Sequence, residues 1–110
     1  MAKTAVDIKR IIEEYAARLQ PEVRVVKVIL FGSHARGTAG EWSDIDIAVI
    51  SNDFKRMKPL ERIEFLAMRS KGCDVDLSPL PYTLDAYEHA SHLDFLGEIK
   101  RTGKVVFEAG

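Results

Sequence analysis

Apolar positions along the chain follow two rhythms, one near 3.6 residues and one of 2, and their order sketches the elements. Ile8, Ile11, Ile12, Tyr15, Ala16 and Leu19 share one helical face, while Lys9, Arg10, Glu13, Glu14 and Arg18 lie elsewhere on the wheel. Thr4 with Asp7 resembles a capping box at the start of that helix, and Pro21 stops it. Val23 to Phe31 is nearly continuous and β-branched, as expected of a strand covered on both faces. A short helical piece follows through Arg36, and Gly37 and Gly40 loosen the chain. Asp44 to Ile50 then alternates strictly, with Ile45, Ile47 and Val49 on one face and Asp44, Asp46 and Ala48 on the other.

The second half repeats the scheme with weaker signals. Ser51 to Lys58 is polar and reads as irregular, with Lys55-Arg56-Met57-Lys58 a solvated basic patch. Pro59 suits a first helical position, and Leu60, Ile63, Leu66 and Ala67 form the expected buried stripe, leaving Phe65 and Met68 off it. Gly72 ends this helix. Cys73 to Ser78 alternates like a strand, which Pro79 and Pro81 are expected to end. Thr83 caps a short helix to about His89, and Ser91 with Asp94 caps another through Thr102, closed by Gly103. Lys104 to Glu108 reads as a last, edge strand with charged ends. The apolar Phe95 and Leu96 are left over on the late helices and point to a partner or a second copy.

Composition narrows the class without naming it. The 110 residues are 46% apolar and 30% charged with a net charge of −1, which suits one domain over residues 1–110 and gives no basic excess for a nucleic-acid backbone. Cys73 is the one cysteine, so an internal disulfide is excluded. No apolar run is long enough to span a bilayer, and Met1-Ala2-Lys3-Thr4 does not open a signal peptide, so the expected location is the cytoplasm.

The chemistry concentrates between Phe31 and Ile47. Acids on an apolar strand are costly unless a cation or donors face them. Asp44 and Asp46, at i and i+2, point the same way and can share hard-oxygen coordination of Mg²⁺ or Mn²⁺. Without a cation, their repulsion should raise one pKa. Gly32-Ser33, ten residues before Asp44, lets backbone N–H groups approach an anion, although alone it would be a turn and a helix cap. Together the two parts suit a metal-bound nucleoside triphosphate. If the Cys73–Ser78 strand lies beside the Asp44 strand, Asp76 is the better third ligand and Asp74 the solvated alternative; either could simply be the wet face of an edge. Arg36 either contacts phosphate or pairs with Glu41 or Asp44. Trp42 either packs its loop against the sheet, the simpler reading, or stacks on a base, and His89 and His92 lack the partners a zinc site needs.

Gly32-Ser33-His34-Ala35-Arg36-Gly37 followed by Ser43-Asp44-Ile45-Asp46-Ile47 resembles the signature of the DNA polymerase β-like nucleotidyltransferase superfamily, in particular its minimal (MNT, MntA-like) group. Val75-Asp76-Leu77 resembles that family's third-acid strand, and Glu98 to Phe107 its closing helix-Gly-strand. The resemblance implies an α+β fold, a mixed central sheet flanked by helices. It also implies transfer of a nucleoside monophosphate, AMP from ATP in the simplest case, to a hydroxyl. It would give Asp44, Asp46 and Asp76 two Mg²⁺ ions to hold, and Gly32, Ser33 and Arg36 the triphosphate. Larger relatives carry a helical domain for acceptor or base, for which this chain has no room, so a second subunit or a partner should supply that surface. In the minimal group the partner is often a small helical HEPN-type toxin, AMPylated on a tyrosine. The rival readings are a non-catalytic antitoxin that neutralises its partner by contact, and a glycosyltransferase, whose Asp-x-Asp also holds a metal but whose fold needs a longer chain.

Overall fold

A computed structural model describes residues 5–37, 44–73 and 76–109. Thr4 of the expected capping box, Gly40, Glu41, Trp42 and Ser43 of the motif loop, and Asp74 and Val75 lie outside the described residues. The element order is α1 (Ala5–Leu19), β1 (Lys27–Phe31), α2 (Ser33–Arg36), β2 (Ile45–Ile50), α3 (Pro59–Ser70), β3 (Leu77–Tyr82), α4 (Leu84–Glu88), α5 (Phe95–Thr102) and β4 (Lys104–Glu108). The strands form one mixed sheet in the order β3-β2-β1-β4. β1 is antiparallel to both β2 and β4, and β2 is parallel to β3.

The sheet is covered on both sides, and the period-2 alternation decides what each side buries. Val28 and Leu30 of β1 and Ile45, Ile47 and Val49 of β2 join Ile8, Ile12, Tyr15 and Leu19 of α1 and Leu66 of α3 in one core layer. Ile29, Ala48 and Ile50 face the other way, against Leu96 and Ile99 of α5. The stripe expected on α1 is buried in full. Leu96 belongs to the second layer and is not a leftover surface residue, whereas Phe95 is 56% exposed.

Four expectations need correction. The first strand starts at Lys27; Val23 and Val25 are buried but precede it. Ser51 to Lys58 holds a 3-10 turn, Asn52–Arg56, that buries Phe54 completely. Ser51, itself buried, caps the turn: its hydroxyl accepts from Asp53 N–H at 3.1 Å and donates to the Arg24 carbonyl at 2.7 Å.

The strand expected at Cys73–Ser78 begins at Leu77, and Pro79 and Pro81 lie inside it. Ile45 N–H donates to the Asp76 carbonyl and Ser51 N–H to that of Tyr82, both at 3.0 Å, so even-numbered residues of β3 face β2. Both prolines therefore turn their missing N–H toward the open edge, where none is needed.

The fourth correction concerns α3. Leu60 and Ile63 are 64% and 52% exposed, Ala67 is exposed, and Phe65 packs against the core beside Leu66. The inner face is Arg62, Phe65, Leu66 and Arg69, with the arginine stems lying inward and their heads reaching out. Arg62 Nε donates to the Met57 carbonyl at 2.9 Å, while Arg69 pairs with Glu22 and lies 4.8 Å from the Phe65 ring centre. Tyr15, buried in the first layer, donates to the Leu66 carbonyl at 2.8 Å, and its burial holds the phenol well above its ordinary pKa.

Candidate active site

The alternation of β2 carries Ile50 and Ala48 under the α4/α5 side and then, one pleat further on the same face, Asp46. Asp44 follows just before the strand and is exposed. The cross-strand neighbour of Asp46 is Phe31, the last residue of β1, and the next residue is Gly32. Gly32 has φ 76° and ψ −152°, a backbone region open to glycine alone. A Cβ built there would lie 2.3 Å from Asp46 Oδ2. The carboxylate of Asp46 therefore lies directly over the Gly32 backbone, and the two halves of the motif, fourteen residues apart in the chain, meet in space. α2 starts immediately afterwards, with Arg36 N–H donating to the Gly32 carbonyl at 3.1 Å.

The electrostatics follow from this arrangement. Burial, and then repulsion from Asp44, push the Asp46 carboxyl above the usual carboxylate range, while His34 and Arg36 pull it back. The like-charge effect expected from the i, i+2 pair is present, but desolvation is the larger cause. Arg36 thus brings positive charge to the carboxylate face, and Ser33 opens α2 beside it.

β3 brings the remaining acid. Pairing of Asp46 with Ser78 and Ile45 with Leu77 continues to Asp76 beside Asp44, and Ile45 N–H donates to the Asp76 carbonyl. Asp76 is exposed at the same end of the sheet. Among the described residues, however, no three His, Cys, Asp or Glu side chains close on a common metal-sized point. The backbone gathers Asp44, Asp46 and Asp76; their carboxylates do not converge. The donor set still fits a divalent cation. It is all hard oxygen, and Asp44 repels the half-buried Asp46 carboxylate, a repulsion that a cation would offset. One residue of the site went unnoticed in the sequence. Ser78 donates to Asp44 Oδ2 at 3.4 Å, and its place two residues after Asp76 in a parallel register was the available signal.

The family model for the nucleotidyltransferase domain matches residues 8–101. Two inferred protein adenylyltransferases of Methanocaldococcus jannaschii are similar. One is 40% identical over 78 residues, 68% of this chain and 77% of its own length. The other is 32% identical over 78 residues, 70% of this chain and 74% of its own. Among solved structures, a toxin–antitoxin crystal structure with AMP-PNP superposes with a TM-score of 0.63 over 92% of this chain and 73% of that one, at 24% identity, which speaks for the fold. The family model spans the Gly-Ser turn and the paired aspartates, both relatives are at least 30% identical over more than two thirds of their own length, and the chain belongs to the nucleotidyltransferase domain family.

Proposed function

We propose that this protein transfers AMP from ATP to a hydroxyl of a partner protein, a tyrosine of a small helical HEPN-type toxin being the simplest acceptor. The observation that carries the reading is the contact between Asp46 and the Gly32 backbone, which sets a carboxylate pair against a Gly-Ser turn. The adenylyltransferase relatives support the nucleotide and the protein acceptor, and the toxin–antitoxin neighbour supports the kind of partner. Cys73, a free half-buried thiol, suits a cytoplasmic protein.

In this reading Asp44, Asp46 and Asp76 would hold two Mg²⁺ ions, or Mn²⁺, once their carboxylates turn toward a common point, and Gly32, Ser33 and Arg36 would hold the β- and γ-phosphates. The ions, when bound, stabilise charge on the attacking and departing oxygens of an in-line displacement. The chain's own residues orient the parts. Ser78 steadies Asp44, and the Gly32 backbone fixes Asp46. Arg36 offers a fork to phosphate oxygens. The acceptor oxygen forms a bond to the α-phosphorus, the α–β bridging bond breaks, pyrophosphate leaves, and the hydroxyl proton passes to the Asp76 carboxylate. Positioning and charge suffice for phosphoryl chemistry, so no histidine base is required.

The test is Asp44→Asn with Asp46→Asn. Transfer to the protein encoded beside this one, followed by mass spectrometry, should vanish in the double variant while the fold persists. Full transfer by that variant would reject the mechanism. A stable complex with unchanged masses for the native chain would make it a non-catalytic neutraliser, for which the exposed Leu60 and Ile63 on α3 offer a contact face.

A further inference from the structure

We infer that Phe95, packed at right angles to Phe31 beside Asp46, is the platform on which the base of the nucleoside triphosphate stacks. This rests on the nucleotidyltransferase reading and adds to it the part of the substrate that the acids and the Gly-Ser turn do not touch.

Phe31 is the cross-strand neighbour of Asp46 and points to the same face of the sheet, where it packs on the layer built from Ile29 and Leu96. Cross-strand neighbours of this kind lie about 5 Å apart at Cα. The Phe95 ring centre is 5.8 Å from that of Phe31, with the planes at 83°. Phe95 thus sits one aromatic ring away from the carboxylates, roughly the reach of a ribose and base from an α-phosphate held there. An edge-to-face pair leaves ring surface uncovered, and Phe95 remains 56% exposed.

The ring is exposed but its backbone is fixed. Leu96 and Ile99 bury the other side of α5. Gly97 lies so close to the preceding turn that a Cβ would come within 1.7 Å of the Ser91 carbonyl oxygen. Ser91 N–H donates to Asp94 Oδ2 at 3.1 Å and Leu93 N–H to Ser91 Oγ at 3.0 Å. A preorganised aromatic loses little entropy on binding. The base is the planar, weakly hydrated part of the substrate, and stacking on an aromatic side chain is its commonest mode of capture.

The experiment measures binding of two probes in the presence of Mg²⁺ by titration calorimetry: ATP and inorganic tripolyphosphate, which has the phosphates and no base. For Phe95→Ala, ATP should bind roughly 5- to 10-fold more weakly, the lower end of base–aromatic stacking, while tripolyphosphate is unchanged. Phe95→Leu, which keeps apolar bulk without a π-face, should lose as much as Phe95→Ala, and Phe95→Trp should restore ATP binding. Unchanged ATP binding in Phe95→Ala and Phe95→Leu, or an equal loss for both probes, overturns the stacking role and leaves the parent reading standing. Unchanged ATP binding with a raised KM for the acceptor protein does the same and makes Phe95 an acceptor contact. A native chain that binds neither probe overturns both.

Discussion

Replacing Gly32 with alanine isolates the contact on which the site depends. Two costs arise. The backbone at φ 76°, ψ −152° admits glycine almost alone, and holding a β-carbon there costs about 1–3 kcal/mol. The new Cβ also meets Asp46 Oδ2 at 2.3 Å, Cγ at 3.2 Å and Cβ at 3.3 Å. Swinging the carboxylate aside relieves the first contact at roughly 0.5–1.5 kcal/mol of rotamer strain, while the other two stay tight because the Asp46 backbone is fixed in β2. The expected loss of stability is therefore about 2–4 kcal/mol. Urea unfolding of Gly32→Ala, Asp46→Ala and the double variant separates the parts. In the Asp46→Ala background the backbone cost and the Cβ contact persist while the Oδ2 and Cγ contacts disappear, leaving a coupling of about 0.5–1.5 kcal/mol. Activity should fall further than stability suggests, since a displacement of ~1 Å in a reacting geometry can cost about a hundredfold. A coupling of zero, or native transfer rates in Gly32→Ala, would refute the claim that Asp46 is positioned by the Gly32 backbone.

Four further outcomes follow from the structure. Asp46→Asn should raise the metal-free Tm at neutral pH: with a folded pKa above the unfolded one, the protonated carboxyl favours folding fully below the unfolded pKa of about 4, and that advantage is lost as pH rises through the folded value. Added Mg²⁺ should raise the Tm of the native chain and leave that of Asp44→Asn with Asp46→Asn unmoved, as thermal scans would show. Asp53 accepts from Arg24 N–H at 2.8 Å and pairs with Arg56 at 3.1 Å, which together depress its carboxyl. Its contribution is complete above about pH 4 and is lost as pH falls through the depressed value, so the Tm difference between the native chain and Asp53→Asn should close in acid. Gly97→Ala should destabilise by about 1–3 kcal/mol or more in urea, because the colliding atom is the Ser91 backbone oxygen, which no side-chain rotation can move.

What could be read from the residues alone depended on whether burial and chemistry pointed the same way. On α1 every apolar residue of the stripe is buried, because the residues between them are charged and short of partners inside. On α3 the same rule chose the wrong face. Arg62 and Arg69 occupy inward positions with their heads bonded at the rim, so counting them as outward displaced the stripe onto Leu60, Ile63 and Ala67. Proline likewise misled at Pro79 and Pro81, since its exclusion from strands lapses where the N–H side is an open edge. Asp44 and Asp46 were legible because i, i+2 on a strand determines a shared face without any knowledge of neighbours. The nearness of Gly32 to Asp46 depends on the β1–β2 register, and the role of Phe95 on how α5 docks; neither has a local signature.

The two faces of β2 explain why stability and chemistry can occupy one strand. Ile45, Ile47 and Val49 are closed over by α1 and α3 along the whole strand. On the opposite face, cover runs over Ile50 and Ala48 and stops where α5 begins, at Phe95, so Asp46 keeps partial exposure and Asp44 is open. One more turn of helix at that end would cover Asp46 further and push its carboxyl still higher, opposing cation binding. The start of α5 is set by the Asp94–Ser91 hydrogen bond and by the close approach of Gly97 to Ser91, neither of which touches the acids. Substitutions at Ser91 or Gly97 should therefore reach the site through the position of Phe95, weakening ATP binding before tripolyphosphate binding, whereas loss of Ile47 or Val49 would lower stability and weaken both probes together.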